Sequence, residues 1–314
     1  MLTRHPVLPP PNRPSFRRPA QHGSSLLLVL WAIMLMSFAI LGLIEHLARG
    51  VDESIEAEQD FRARLLMQSA RVVAEHPALE RGDPLLHRQV TSASSYEVRQ
   101  STEGTRLAVN QLGENWAQRN FAQRLFESWG LPSTEALTLT DSIADWIDAD
   151  DRPRRQGAER DFYTAMERPD FPFNRPFQNL NDVMLVHGAS EMDRRRPNWR
   201  ESMTLHGDGT IDLPLASSEM LSALFDVTPS EVSRFVRTRL GPDGLAESMD
   251  DPSYTTTAQV RALLDVPEIN YQAVASLLTI KHPIRRTECR ARAGRYERRL
   301  TLLIGPGMNT ILDE

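Results

Sequence analysis

Six carboxylates fall within one short stretch of this chain: Asp145, Asp148, Asp150, Asp151, Glu159 and Asp161. Calcium takes six to eight oxygen ligands, and carboxylates set close together after a helix can supply them. Gly157 would let the connecting loop fold back on that helix. The spacing is not that of an EF-hand, and Arg152, Arg154 and Arg155 interrupt it. The competing reading is an acidic helix end neutralised by those arginines. Catalytic signatures are otherwise missing. The eight histidines are scattered without a His-Glu-x-x-His pair, and there is no Gly-x-Ser-x-Gly, phosphate-binding or dinucleotide-binding motif. The expectation is a protein that is not an enzyme. Cys289 is the single cysteine, so no intrachain disulfide can form, and it reads as a small buried residue.

The element that positions everything else is near the N-terminus. From Leu26 to Ile44 the chain carries no charge, and only Ser37 and Gly42 interrupt the apolar run. About 19 residues at ~1.5 Å each give roughly 28 Å of helix, close to the thickness of a bilayer core. Arg17 and Arg18 precede the run; Glu45, Asp52 and Glu53 follow it. The charge asymmetry predicts a single pass with the N-terminus in the cytoplasm and the rest exported to the periplasm. A cleaved secretory signal would need a shorter core and a better site than Ala48-Arg49-Gly50. A plain anchor fits. So does a type IV prepilin-like leader, cut on the cytoplasmic side between Gly23 and Ser24. The leader is rich in proline (Pro6, Pro9, Pro10, Pro11, Pro14) and holds four arginines. A chain starting at Ser24 has 32 basic and 42 acidic residues, a poor balance for binding nucleic acid.

The helix pattern continues past the apolar run, through Val51, Ile55, Phe61, Leu65, Leu66, Ala70 and Val73, and no proline follows until Pro77. One helix to about His76 is expected, its second half packed on a globular domain. Strands are expected at Ser95–Arg99 and Thr105–Val109, joined by a turn at Glu103-Gly104. A helical block follows. Phe121, Leu125, Phe126 and Trp129 make one face, Asp141 caps a second helix, and a third covers Leu180–Val186. Two more run Ser218–Phe225 and Pro229–Leu240. Ala258–Leu264 (ambiguous with helix), Ser276–Lys281, Arg286–Arg292 and Arg295–Leu303 read as strands, the last two joined at Ala293-Gly294. The fold class is therefore α+β: a long N-terminal helix on an antiparallel sheet, with a large all-α insertion between strands. The expected divisions are 1–23 leader, 24–76 transmembrane and stalk helix, 77–115 first part of the sheet domain, 116–250 helical insertion, and 251–314 completing strands.

Several stretches resemble the type II secretion system minor pseudopilin K family: Gly23–Trp31, Leu107–Leu112, Asp141–Asp151, Gly157-Ala158-Glu159 with Tyr163, Phe173–Phe177 and Gly207–Ser217. The resemblance implies a pilin-like fold with a helical insertion resembling a sterile-alpha-motif bundle. It implies a role at the tip of the secretion pseudopilus. It also implies cleavage after Gly23 and N-methylation of Ser24 by the prepilin peptidase. The implied partners are the minor pseudopilins I, J and H, the major pseudopilin G and the inner-membrane assembly platform. Ser24 departs from the hydrophobic first residue usual in pilins, and Asp212–Leu215 stands where the family tends toward asparagine. Counted from Ser24, Leu28 is the fifth mature residue, where most pilins carry a glutamate. A charge in a bilayer is costly unless paired. Leucine needs no docked predecessor, which suits a first subunit; equally, it is simply an inexpensive residue in lipid.

Two further patterns have plain and functional readings. The helices flanking Phe225–Thr228 resemble a helix-hairpin-helix, but Pro229 stands there without a glycine, so the phosphate cradle is missing. The arginines Arg285, Arg286, Arg290, Arg292, Arg295, Arg298 and Arg299 read as a solvated strand face or as a contact for an acidic partner. The rival overall reading is a periplasmic binding protein anchored by one pass with its leader intact.

Overall fold

The computed structural model describes residues 22–313 except 80, 114, 245–247, 249 and 265, with side chains described from 25 to 312. The expected leader therefore lies, up to Gln21, outside the described residues. The chain divides into two units, 1–58 and 59–314.

The described part of the first unit is the leading stretch of one helix, α1 (His22–Glu75). Leu, Met, Ala and Ile dominate it, and no proline interrupts it. Ser37 and Ser54 return their hydroxyls to carbonyls four residues back, Ile33 O and Gly50 O, each at 2.8 Å. Side chains from Leu26 to Ile44 are exposed all round, and the helix is long and apolar enough to cross a membrane.

In the second unit the end of α1 lies on a five-stranded antiparallel sheet. Its strands are β1 (His87–Thr91) and β2 (Ser94–Thr102), then, late in the chain, β7 (Arg285–Ala293), β8 (Tyr296–Gly305) and β9 (Met308–Asp313), in the order β1-β2-β7-β8-β9. Alternation sorts the residues. Tyr96, Val98, Cys289, Ala291, Leu300 and Leu302 join Met67, Ala70 and Ala74 of α1 in one core. The buried face of α1 is Ala63, Met67, Ala70 and Ala74. The expected stripe gives way in part: Phe61 is 60% exposed and Leu65 45%. Small side chains let the sheet approach closely, so the bulkier apolar ones face outward. Asp60, held by Arg298 across to β8, and Gln59, reached by the amide of Arg295, pin the start of this contact.

The strands flanking the insertion differ from expectation. β2 pairs with β1 and β7, not with Thr105–Val109. Only β3 (Leu107–Ala108) is extended there, and it pairs in parallel with β4 (Met203–Thr204). Glu103–Thr105 forms a 3-10 turn whose Glu103 amide donates to Ile284 O at 3.0 Å, so the chain leaves the sheet at that point instead of reversing.

The insertion thus runs from Glu103 to Ile284, between neighbouring strands β2 and β7. It holds α2 (Trp116–Ser128), α3 (Ser133–Ile147), α4 (Arg160–Ala165), α5 (Ala189–Arg195), α6 (Ser218–Phe225), α7 (Pro229–Thr238), α8 (Thr257–Arg261) and α9 (Glu268–Ala273). Two-residue strands β5 (Ile211–Asp212) and β6 (Leu278–Thr279) pair in parallel. Asn115 caps α2 by accepting from the amides of Ala117 and Gln118, Ser217 caps α6, and Thr228 with Glu231 forms a capping box on α7. Phe121, Leu125, Phe126, Leu139, Ile143, Trp146, Leu221, Phe225 and Phe235 fill a second core. Asp141 is not a cap: α3 begins at Ser133, and Asp141 is buried mid-helix. Leu180–Leu185 is a 3-10 helix. Within Ala258–Leu264, ambiguous between strand and helix, the chain takes the helical alternative as α8 up to Arg261, and Val260 and Tyr271 join the helical core. The apolar residues between Tyr254 and Ile280 therefore add to the core of the insertion.

Candidate functional site

The carboxylate cluster forms where α3 ends and its following loop returns. α3 buries Ala136, Leu139, Ile143 and Trp146, and this rotation carries Asp145 inward with them, to complete burial. Asp148 ends the helix. The loop 149–158 then comes back along α3: the amide of Arg154 donates to Asp145 Oδ2 at 3.1 Å, and that of Gln156 to Asp141 Oδ2 at 3.1 Å. Gly157 allows this return, since a Cβ there would stand 1.8 Å from Asp145 Oδ2. Ala158 is buried, and Glu159, 3% exposed, starts α4.

Asp145, Asp148 and Glu159 each place a carboxylate oxygen within 4.8 Å of the others. Arg154 Nη1 bridges Asp145, at 2.6 Å, and Asp148. Its Nη2 donates to Gly113 O at 3.1 Å. Glu159 has no such partner among the described residues: both its oxygens are buried without a hydrogen bond. Burial, and then the charges of Asp145 and Asp148, push its pKa up to about 8. Burial also raises Asp145, against the pull of Arg154. Three acids facing one guanidinium leave an excess of negative charge in a desolvated place. An oxygen-only donor set of this kind suits a hard divalent cation.

The other expected ligands are elsewhere. Asp150 is exposed, its Oδ1 accepting from the Arg152 amide at 2.8 Å. Asp151 is exposed, accepts from Asn174 at 3.1 Å and lies 3.6 Å from Arg160. Asp161 is exposed in the first turn of α4. These three solvate the loop, because only side chains on the inward side of α3 and at the start of α4 converge. Of the three interrupting arginines, Arg154 enters the cluster, while Arg152 and Arg155 are exposed. Trp146 braces the cluster from behind. It is buried against Tyr163, Phe171, Phe173 and Phe177, with ring centroids 5.2–5.9 Å away. The sequence signal for this wall is the close spacing of Phe171, Phe173 and Phe177 after Tyr163.

Gly23 and Ser24 lie in the first turns of α1, where only the backbone is described. Leu28 is 71% exposed among other exposed apolar residues of α1. Cys289 is buried on the α1-facing side of β7, and burial pushes its thiol up to about 12, so it is an inert packing group. The arginines of β7 and β8 divide between faces. Arg298 reaches Asp60 of α1, whereas Arg290 and Arg299 pair with Glu297 on the outer face.

Residues 105–197 match the family described as type II secretion system (T2SS), protein K. The type II secretion system protein K of Pseudomonas aeruginosa is 34% identical over 131 residues, 41% of this chain and 38% of that one. The match thus spans well under half of that relative's length. The Klebsiella pneumoniae protein of the same description is 25% identical over 298 residues, covering 82% of this chain and 88% of that one. Among solved structures, a chain of the GspK-GspI-GspJ complex from the enterotoxigenic Escherichia coli type 2 secretion system superposes with a TM-score of 0.54. It is 14% identical in sequence and covers 84% of this chain and 95% of that one. The matched stretch 105–197 contains the whole carboxylate cluster.

Proposed function

We propose that this chain, a member of the type II secretion system protein K family, works as a minor pseudopilin at the tip of the secretion pseudopilus, where it initiates or caps the filament. The observation that carries this reading is α1. Its apolar side chains are exposed from Leu26 to Ile44, and Phe61, Leu65 and Val72 remain exposed where the helix carries the sheet. A helix with that surface can lie in lipid and then exchange lipid for the helices of neighbouring subunits without a large change in solvation. The insertion of about 180 residues between β2 and β7 is bulky beside one helix, and bulk favours the end of a thin filament over its shaft.

In this reading the leader is cytoplasmic, α1 crosses the inner membrane once and the 59–314 unit is periplasmic. Prepilin peptidase cuts between Gly23 and Ser24 and methylates Ser24. Pseudopilins of the I and J kind are the immediate partners, supported by the fold likeness to a chain of the GspK-GspI-GspJ complex. H-type and major pseudopilins and the assembly platform follow from the family. Leu28 marks a subunit that needs no predecessor. Calcium, held by Asp145, Asp148 and Glu159 after Arg154 yields, ties the end of α3 to the start of α4.

Intact mass of the protein recovered from membranes tests the reading. Loss of Met1–Gly23 with a methyl on Ser24, together with crosslinks to I- and J-type pseudopilins, is expected. An uncut leader with no sibling crosslinks would instead indicate a plain membrane-anchored protein. Crosslinks spread evenly along the shaft would overturn the tip position while leaving the pseudopilin role intact.

A further inference from the structure

A cavity of about 570 Å³ opens at the end of the sheet where β2 and β7 meet the insertion, and a second of about 310 Å³ shares its wall. Gln100 and Ser101 of β2, Pro214 and Leu215 after β5, and Pro252 and Tyr254 before α8 line both. The floor is thus partly apolar, and its polar groups are unevenly satisfied. Among the described residues, Gln100, 4% exposed, has no partner for its Nε2, and Asp212, 2% exposed, has none for its Oδ1. The Tyr254 hydroxyl and Arg285 Nε also lack a partner among the described residues. Asp212 Oδ2, by contrast, is fixed by the Thr102 hydroxyl at 2.9 Å and the His282 amide at 3.2 Å.

The walls carry more cations than acids. Arg81 and Lys281 are exposed at the rim, Arg285 and Arg239 are half-buried, and the acids among the lining residues are Asp251, which borders both cavities, the buried Asp212 and Glu288. Arg285 Nη2 donates to Ala74 O at 2.9 Å and Arg239 Nη1 to Pro214 O at 3.2 Å. Both bonds end on carbonyls. The nearby Glu288 is already engaged by Arg106 and Arg286. Burial lowers the pKa of Arg239, and Arg81 adds to that strain.

We propose that this cleft binds an extended peptide segment bearing a carboxylate side chain. A small inorganic anion would satisfy the cations but leave the acceptor Asp212 Oδ1 and the apolar floor unused. A peptide offers amide N–H groups to Asp212, carbonyls to Gln100 and Arg285, side-chain surface to Pro214, Leu215 and Tyr254, and a carboxylate to Arg81 and Lys281. The cleft is remote in sequence from the carboxylate cluster and from α1's membrane-spanning stretch, and the proposal does not depend on where the subunit sits in a filament.

Fluorescence anisotropy on the full chain in detergent micelles tests it, with a labelled penta-glutamate amide as the probe. Saturable binding is expected. Penta-glutamine should bind at least tenfold more weakly, as should penta-glutamate to the Arg81→Ala/Lys281→Ala double variant, whose exposed positions leave folding intact. The Arg290→Ala/Arg299→Ala variant on the outer sheet face should bind within twofold of the unaltered chain. Absence of saturable binding would overturn the proposal. So would an equal loss in the outer-face variant, which would mean general charge attraction. Displacement of the peptide by inorganic phosphate at a comparable concentration would reduce the cleft to a simple anion site and overturn it as well.

Discussion

Gly157 lies against the carboxylate of Asp145 so closely that a single added methyl would stand 1.8 Å from Oδ2. Asp145 is a buried side chain of a packed helix and has no room to retreat. Gly157→Ala must therefore push the loop away and strip Asp145 of the Arg154 amide. Overpacking of this kind costs about 1–3 kcal/mol, which for a domain this size lowers Tm by roughly 3–10 °C. Thermal unfolding followed by circular dichroism checks it; an unchanged Tm would mean the loop is not held as described.

Glu159 gives the fold a pH dependence of defined sign. Its folded pKa of about 8 lies above the ordinary value of 4.5. The folded state thus holds a proton that the unfolded chain releases, and without a bound cation stability falls as pH rises from about 4.5 to about 8. Glu159→Gln keeps the uncharged shape. With a chelator present it should match the unaltered chain near pH 4 and exceed its Tm by a few degrees at pH 8. Equal melting curves at both pH values would refute this.

Calcium should reverse that penalty. A cation bound only by the folded state stabilises it by RT ln(1 + [L]/Kd), about 2.7 kcal/mol at a hundredfold excess over Kd. Millimolar calcium is expected to raise Tm at pH 8, less at pH 5, and not at all in Glu159→Gln. Scanning calorimetry across a calcium series measures it, and a flat Tm up to several millimolar would remove the metal from the picture.

The contact of α1 with the sheet rests on small side chains. Ala70 is fully buried in the core that Met67 and Ala74 share with Val98 and Ala291. Ala70→Leu should cost about 1–3 kcal/mol by forcing helix and sheet apart. Val72→Ala, on the exposed side, should change stability by less than about 0.5 kcal/mol. Denaturant titration of the two variants separates the faces; equal effects would contradict the assigned burial.

How much of this was legible depended on how strongly local chemistry agreed with burial. α6 and α7 carried their own start signals at Ser217 and Thr228–Glu231, and the structure keeps them. β1 was invisible because all five of its residues are exposed, so no alternation exists to be read. α8 is ambiguous in sequence because Ala258, Val260, Ala262 and Leu264 alternate as a strand would, and the structure takes the helical alternative. The capping box of Thr256 with Gln259 was the contrary signal. For the carboxylates, residue type identified the region but not the membership. Which acids converge is decided by the rotation of α3 about its apolar face, and that rotation depends on partners such as Phe177 and Tyr163 that come later in the chain.

β2 and β7 are paired along nine residues, yet about 180 residues separate them in the chain, so this ladder has a large loop-closure cost and forms slowly. At a synthesis rate of about 5–20 residues per second, β2 waits roughly 10–40 s for its neighbour to exist at all. During that interval the helices between them can condense on their own core, but the half-made sheet shows a naked edge. Because β7, β8 and β9 all follow the insertion in the chain, the sheet can be completed only after every helix between β2 and β7 has been made.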